Sequence, residues 1–74
     1  MKIFGYAKDK VDTNLIELKE VTLVASSAEL KSVADFLLRC ATEMEEDIKW
    51  EHEHLSDSES RFEDAELVVF ANRN

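Results

Sequence analysis

The stretch Ser26-Ser27-Ala28-Glu29-Leu30-Lys31-Ser32-Val33-Ala34-Asp35-Phe36-Leu37-Leu38-Arg39-Cys40-Ala41-Thr42-Glu43-Met44-Glu45-Glu46 decides the fold of this chain. Ser26 followed three residues later by Glu29 spells a capping box, in which each side chain accepts a hydrogen bond from an otherwise unpaired amide at a helix start. From there Leu30, Val33, Ala34, Leu37, Ala41 and Met44 recur at three- and four-residue steps and form one apolar stripe. Phe36, Leu38 and Cys40 widen that stripe, whereas Lys31, Asp35, Arg39, Thr42 and Glu46 fall on the other side. No glycine or proline interrupts the run, which predicts one amphipathic helix ending near Glu46 to Lys49.

Strands are expected on both sides of that helix. Lys2 to Ala7 reads as a short strand through Ile3, Phe4 and Tyr6, and the polar stretch from Lys8 to Asn14 suits a hairpin loop. Leu15 to Ala25, rich in Val, Leu, Ile and Thr, reads as the second strand. Its alternation breaks phase between Ile16 and Leu18 on one parity and Val21 and Leu23 on the other. Either a β-bulge near Lys19-Glu20 restores a single face, or both faces are partly covered. After the helix, Lys49 to Leu55 favours a strand over a helix continuation; strict alternation places Trp50, His52 and His54 on one face and Glu51, Glu53 and Leu55 on the other. Ser56 to Asp64 reads as a polar loop or irregular turn anchored by Arg61 and Phe62. Ala65 to Ala71, with Leu67, Val68, Val69 and Phe70 in succession, reads as a last strand buried on both sides or paired centrally. The tail 72–74 is expected to fray. The order is β-β-α-β-β, an α+β class with a small antiparallel sheet and one amphipathic helix packed on one face.

Seventy-four residues make one domain, 1–74, with a core that supplies only a few kcal/mol of net stability. A single cysteine, Cys40, excludes an internal disulfide. A well-packed monomer, a bound metal or a homodimer would then stabilise the fold, and the first and last are favoured. No signal peptide and no membrane span are read from the chain, so a reducing cytoplasm is the expected compartment.

Charge carries the functional information. Residues 1–41 hold six basic and six acidic side chains, which cancel; residues 42–74 hold three against eleven, which leaves the whole net charge of −8 there. Phosphate contacts need clustered Lys and Arg, so direct nucleic-acid binding is excluded, and an anionic membrane is disfavoured for the same reason. A basic protein partner fits, because complementary potentials speed encounter and select partners.

Catalytic machinery is not legible. Gly5 is the only glycine and cannot form a phosphate-cradling loop, and no serine sits in a nucleophile elbow. His54 beside Asp57 could form an acid–base pair, but acids are frequent enough here to place carboxylates near histidines by chance. His52 and His54, two apart on a strand, could share a metal ion, yet no third and fourth ligand follow at metal-site spacing and Cys40 reads as a packed apolar residue. No cofactor is expected. Recognition is the stronger reading: Trp50 offers a rigid apolar surface, His52 and His54 offer donors, and Glu51 and Glu53 can clamp Arg or Lys. Glu43, Glu46 and Asp47 at the helix end oppose the macrodipole, a local conflict that favours a functional reason for their charge. With Asp57 these residues form the candidate partner-binding set. Two alternatives remain: a small metal- or ligand-binding domain built on Trp50 to His54, and a structural homodimeric interaction module.

Five segments carry a family resemblance: Met1-Lys2-Ile3-Phe4-Gly5-Tyr6, the run Leu15 to Ser26, Ala34-Asp35-Phe36-Leu37-Leu38, Trp50-Glu51-His52-Glu53-His54-Leu55 and Leu67-Val68-Val69-Phe70. Together they resemble a small bacterial immunity protein of polymorphic toxin systems, of the type catalogued as immunity protein 32. The Glu-His-Glu-His stretch is the most specific of them. The resemblance implies a non-catalytic cytoplasmic protein that binds and neutralises a cognate toxin. Many such toxins are nucleases with basic active sites, which an acidic inhibitor could occupy.

Overall fold

The computed structural model describes residues 1–8, 14–59 and 65–72. The expected order holds: β1 (Ile3–Gly5), β2 (Ile16–Leu18), α1 (Ser27–Glu46), β3 (His52–His54), the single helical turn α2 (Leu55–Ser58) and β4 (Val68–Phe70). The class is α+β, and both strand pairings are antiparallel. The four strands form two separate ribbons, β1 with β2 and β3 with β4.

Helix α1 starts as the sequence dictates. Ser26 is the cap: its Oγ accepts from the Glu29 amide at 3.2 Å, and Glu29 Oε1 accepts from the Ser26 amide at 2.8 Å. The helix ends at Glu46, and Asp47 leaves in an extended conformation with its amide donating to the Glu43 carbonyl at 3.0 Å. No basic residue occupies the last turn.

The face that α1 buries differs from the apolar stripe centred on Leu30 and Leu37. Phe36 and Cys40 are the buried pair, 2% and 1% exposed, and with Leu55 they make the core; Val33, Trp50, Leu67 and Val69 pack against it. Leu37 is 45% exposed and Leu38 68%. At about 100° per residue, Phe36 lies about 100° round the helix from Leu37. Periodicity identifies which positions are apolar, but the covering element decides which of them is buried. Here that element is the β3–α2–β4 unit, and it takes the largest side chain on the helix, Phe36.

The strands are shorter than the apolar runs that contain them. β2 stops at Leu18, a bend follows at Lys19, and 20–26 belong to no strand, so no bulge at Lys19-Glu20 carries the strand onward. Val21, Leu23 and Val24 are exposed accordingly. In β1, Gly5 leaves room for Leu18, whose Cδ1 would lie 3.0 Å from a Cβ at that position. β4 pairs with β3 alone and is therefore an edge strand, with Phe70 67% exposed rather than centrally buried. The segment expected to loop after Leu55 first makes the turn α2; residues 60–64, with the anchors Arg61 and Phe62, lie outside the described residues, as do 9–13 of the first hairpin loop and 73–74 of the tail.

Candidate functional site

The acidic residues singled out by sequence fall on a continuous path from the end of α1 through the turn 47–50 into β3 and α2. Backbone hydrogen bonds shape the turn: the Trp50 amide donates to the Asp47 carbonyl at 3.1 Å, and the Lys49 amide to Asp47 Oδ1 at 2.9 Å. Asp47 thus folds the chain back, which carries Trp50 under the helix end. There Trp50 packs against the core, and its indole Nε1 donates to Glu43 Oε1 at 3.1 Å. Glu43 also faces Arg39, with Oε2 3.6 Å from Nε. Arg39 in turn donates to Ser58 Oγ and stands over the Phe36 ring at 5.8 Å. Glu43 is therefore held within the fold by Trp50 and Arg39. Glu46, Glu51 and Asp57 are exposed side chains on the same path.

β3 splits its residues between two faces. In register, His52 lies opposite Phe70, Glu53 opposite Val69, and His54 opposite Val68. Val69 packs on the core, so half-buried Glu53 shares the inward side and the two histidines share the outward one. His52 stacks on Phe70 with ring centroids 4.6 Å apart at 17°, and His54 meets His52 edge-on at 5.5 Å. Trp50 does not share the histidine face; it precedes β3 and turns to the core. Leu55 is likewise core, as the opposite parity anticipated.

Glu66 completes this end of the fold, and neither composition nor spacing singled it out. Its carboxylate accepts from the Ser56 amide at 3.0 Å, from Ser56 Oγ and from the Leu67 amide at 3.1 Å, and lies 3.6 Å from His54 Nδ1. The Ser56 hydroxyl, the two amides and His54 hold its pKa below the ordinary glutamate value, against a smaller opposing effect of burial. The Leu55 amide donates to the Leu67 carbonyl at 2.8 Å beside it, tying α2 to the approach of β4.

Two apolar side chains also join the site. An open, shallow depression is lined by Ile48, Trp50, Phe70 and Ala71 together with Lys49 and Glu51. Ile48 is 82% exposed although it stands between the acidic helix end and Trp50. Its position as a lone branched apolar residue amid charges was the available signal. Chemically the depression offers an apolar floor with the Glu51 carboxylate on its lining, which suits an Arg or Lys side chain that buries its stem and pairs its head.

Among the described residues, no group of three or more His, Cys, Asp or Glu converges to hold a metal ion. Cys40 sits in the core, where burial pushes its thiol pKa up, partly opposed by Arg39. No helix among the described residues is long and apolar enough to cross a membrane.

A family model described as Immunity protein 32 matches residues 20–71, which takes in α1, β3, α2, β4 and every candidate site residue. No curated protein and no solved structure matches the chain.

Proposed function

The chain belongs to the immunity protein 32 family, and from that premise we propose that it neutralises a cognate bacterial toxin by docking its acidic 43–57 face against a basic surface of that toxin. The observation that carries this reading is the partition of charge: all of the net −8 lies after residue 41. Glu46, Glu51 and Asp57 stand exposed in that part of the chain, and Glu51 lines the depression with Ile48, Trp50 and Phe70. No catalysis by this chain is required. Inhibition follows from occupying the surface with which the toxin holds its own substrate, and a toxin that acts on phosphate must keep that surface basic. Long-range attraction raises the encounter rate, while the desolvated apolar floor slows release.

The test uses the purified cognate toxin. Glu46, Glu51 and Asp57 are suitable for reversal to Lys because none supplies a side-chain hydrogen bond or ion pair described above. At about 1 kcal/mol per reversed charge at a partly exposed interface, the triple variant loses roughly 100-fold in affinity, mostly in association rate. Native binding weakens as salt rises, and the variant loses that salt dependence. Binding that is undiminished by the triple reversal rules this docking face out.

A further inference from the structure

The apolar face of α1 that the fold leaves uncovered lies mostly within the electroneutral residues 1–41, and the charges at its two ends are arranged for a particular occupant. Leu30, Ala34, Leu37, Leu38 and Ala41 lie on this face, all of them exposed. The chain as a whole exposes 6562 Å², whereas a compact monomer of 8.5 kDa exposes about 4,700 Å². Part of that surface is the exposed apolar face of α1, where Leu30 and Leu37 are each 45% and Leu38 68% exposed. The radius of gyration, 13.3 Å, likewise exceeds the ~11 Å of a compact domain this long.

Charge selects among occupants. Lys31, Leu38 and Glu45 are spaced seven apart and form one row along the helix; Leu30, Leu37 and Met44 form the next. Each row reads the same from either end in shape, with Leu38 or Leu37 at its middle, but the first carries opposite charges at its ends. Two copies laid antiparallel about that middle bring Lys31 of each against Glu45 of the other, twice. A parallel pair would set Lys31 on Lys31 and the acidic run Glu43 to Asp47 on its twin. The antiparallel arrangement also places each acidic helix end beside the positive end of the other helix dipole. At about 100° per residue, Glu43 and Glu46 stand about 120° and 180° from Leu37, away from this face.

We infer that this face of α1 docks a second copy of the chain, antiparallel, about a two-fold axis beside Leu37 and Leu38. The dimer buries this face of α1 and leaves Glu43 and Glu46 on the far side of the helix. It does not depend on the toxin-binding reading, and its test requires no toxin. Sedimentation equilibrium of the native chain from 1 µM to several hundred µM at low salt gives a mass of about 17 kDa at the upper end, twice the 8.5 kDa of one chain. Leu38→Glu gives a single chain throughout, with an unchanged circular dichroism spectrum because Leu38 is 68% exposed in one copy. Glu45→Lys alone and Lys31→Glu alone each weaken the dimer by about tenfold, since two attractions become two repulsions per dimer. The double swap Lys31→Glu with Glu45→Lys returns it to within about threefold of native. A single chain at every concentration overturns the inference. So does a dimer that tolerates Leu38→Glu, or one whose single charge variants are not rescued by the swap.

Discussion

Replacing Phe36 and Leu37 one at a time asks which side of α1 faces the core. Phe36 is 2% exposed and touches the centre of the core with Cys40 and Leu55. Truncation to Ala removes a ring and leaves a cavity, at about 3–5 kcal/mol. A 74-residue domain with three buried apolar residues among those described has only a few kcal/mol to lose. Phe36→Ala is therefore expected to abolish the cooperative transition, and Phe36→Leu, which keeps most of the volume, to lower stability by about 1–2 kcal/mol. Leu37 is 45% exposed. Leu37→Ala deletes the equivalent of about three methylenes, each worth ~0.8 kcal/mol when fully buried, with roughly half of that burial present and no enclosed cavity created. The expected loss is about 1 kcal/mol. Urea unfolding at submicromolar protein, where copies do not associate, reads both through the fluorescence of Trp50, the only tryptophan, which packs on the same core. If Leu37→Ala abolishes the cooperative transition while Phe36→Ala leaves it intact, the helix is turned by about 100° from the orientation described and the packing argument fails.

Three further expectations follow from the site. Glu66→Gln removes a carboxylate whose pKa is held below its usual 4.5; a lowered folded pKa adds stability above the unfolded value that is lost as pH falls through the folded one. The variant should thus be less stable than native at pH 7, by about 0.5 kcal/mol after discounting for screening of a partly exposed group, and the gap should close as pH falls below 4.5 and through the lowered folded pKa; a gap that widens in acid contradicts the assignment. A double-mutant cycle on Trp50→Phe and Glu43→Gln should give a coupling of about 1 kcal/mol through the indole–carboxylate hydrogen bond, and additive effects would show that the bond contributes nothing. Cys40 should react with a maleimide at least ~100-fold more slowly in the native chain than in urea, being buried with a raised pKa; equal rates would place it outside the core.

What the sequence disclosed depended on how local the controlling physics is. The Ser26–Glu29 box is settled within four residues and appears in the structure as read. The end of α1 at Glu46 and the strand nature of His52 to His54 were legible for the same reason. The buried face of α1 was not, because Leu37 and Phe36 are equally apolar and only the β3–α2–β4 unit chooses between them. β2 shows the converse: its composition favours a strand as far as Ala25, but a ladder needs a partner, and the hydrogen bonding with β1 ends at Leu18. Trp50 turned to the core, away from the histidines, because Asp47 closes a turn just before it, which overrides strand alternation. Glu66 was invisible for want of any spacing rule linking it to Ser56, ten residues earlier.

The conflict at the end of α1 then acquires a physical meaning. Glu43, Glu45, Glu46 and Asp47 oppose the helix dipole with no basic residue in the last turn, at a few tenths of a kcal/mol each. Arg39 offsets part of this through Glu43 and Ser58, and Trp50 fixes the remaining Glu43 oxygen. Among the described residues Glu46 has no such ion pair or side-chain hydrogen bond. A basic partner docked on 43–57 would supply the missing positive charge, so binding and folding stability are linked through the same residues. At one fixed partner concentration the native chain should consequently gain more thermal stability than a variant whose acids at Glu46 and Glu51 have been neutralised to Gln, because any repulsion relieved on docking lowers the dissociation constant and the stabilisation follows RT ln(1 + L/Kd), with L the free partner concentration. Equal shifts at the same partner concentration would show that these acids contribute nothing to docking.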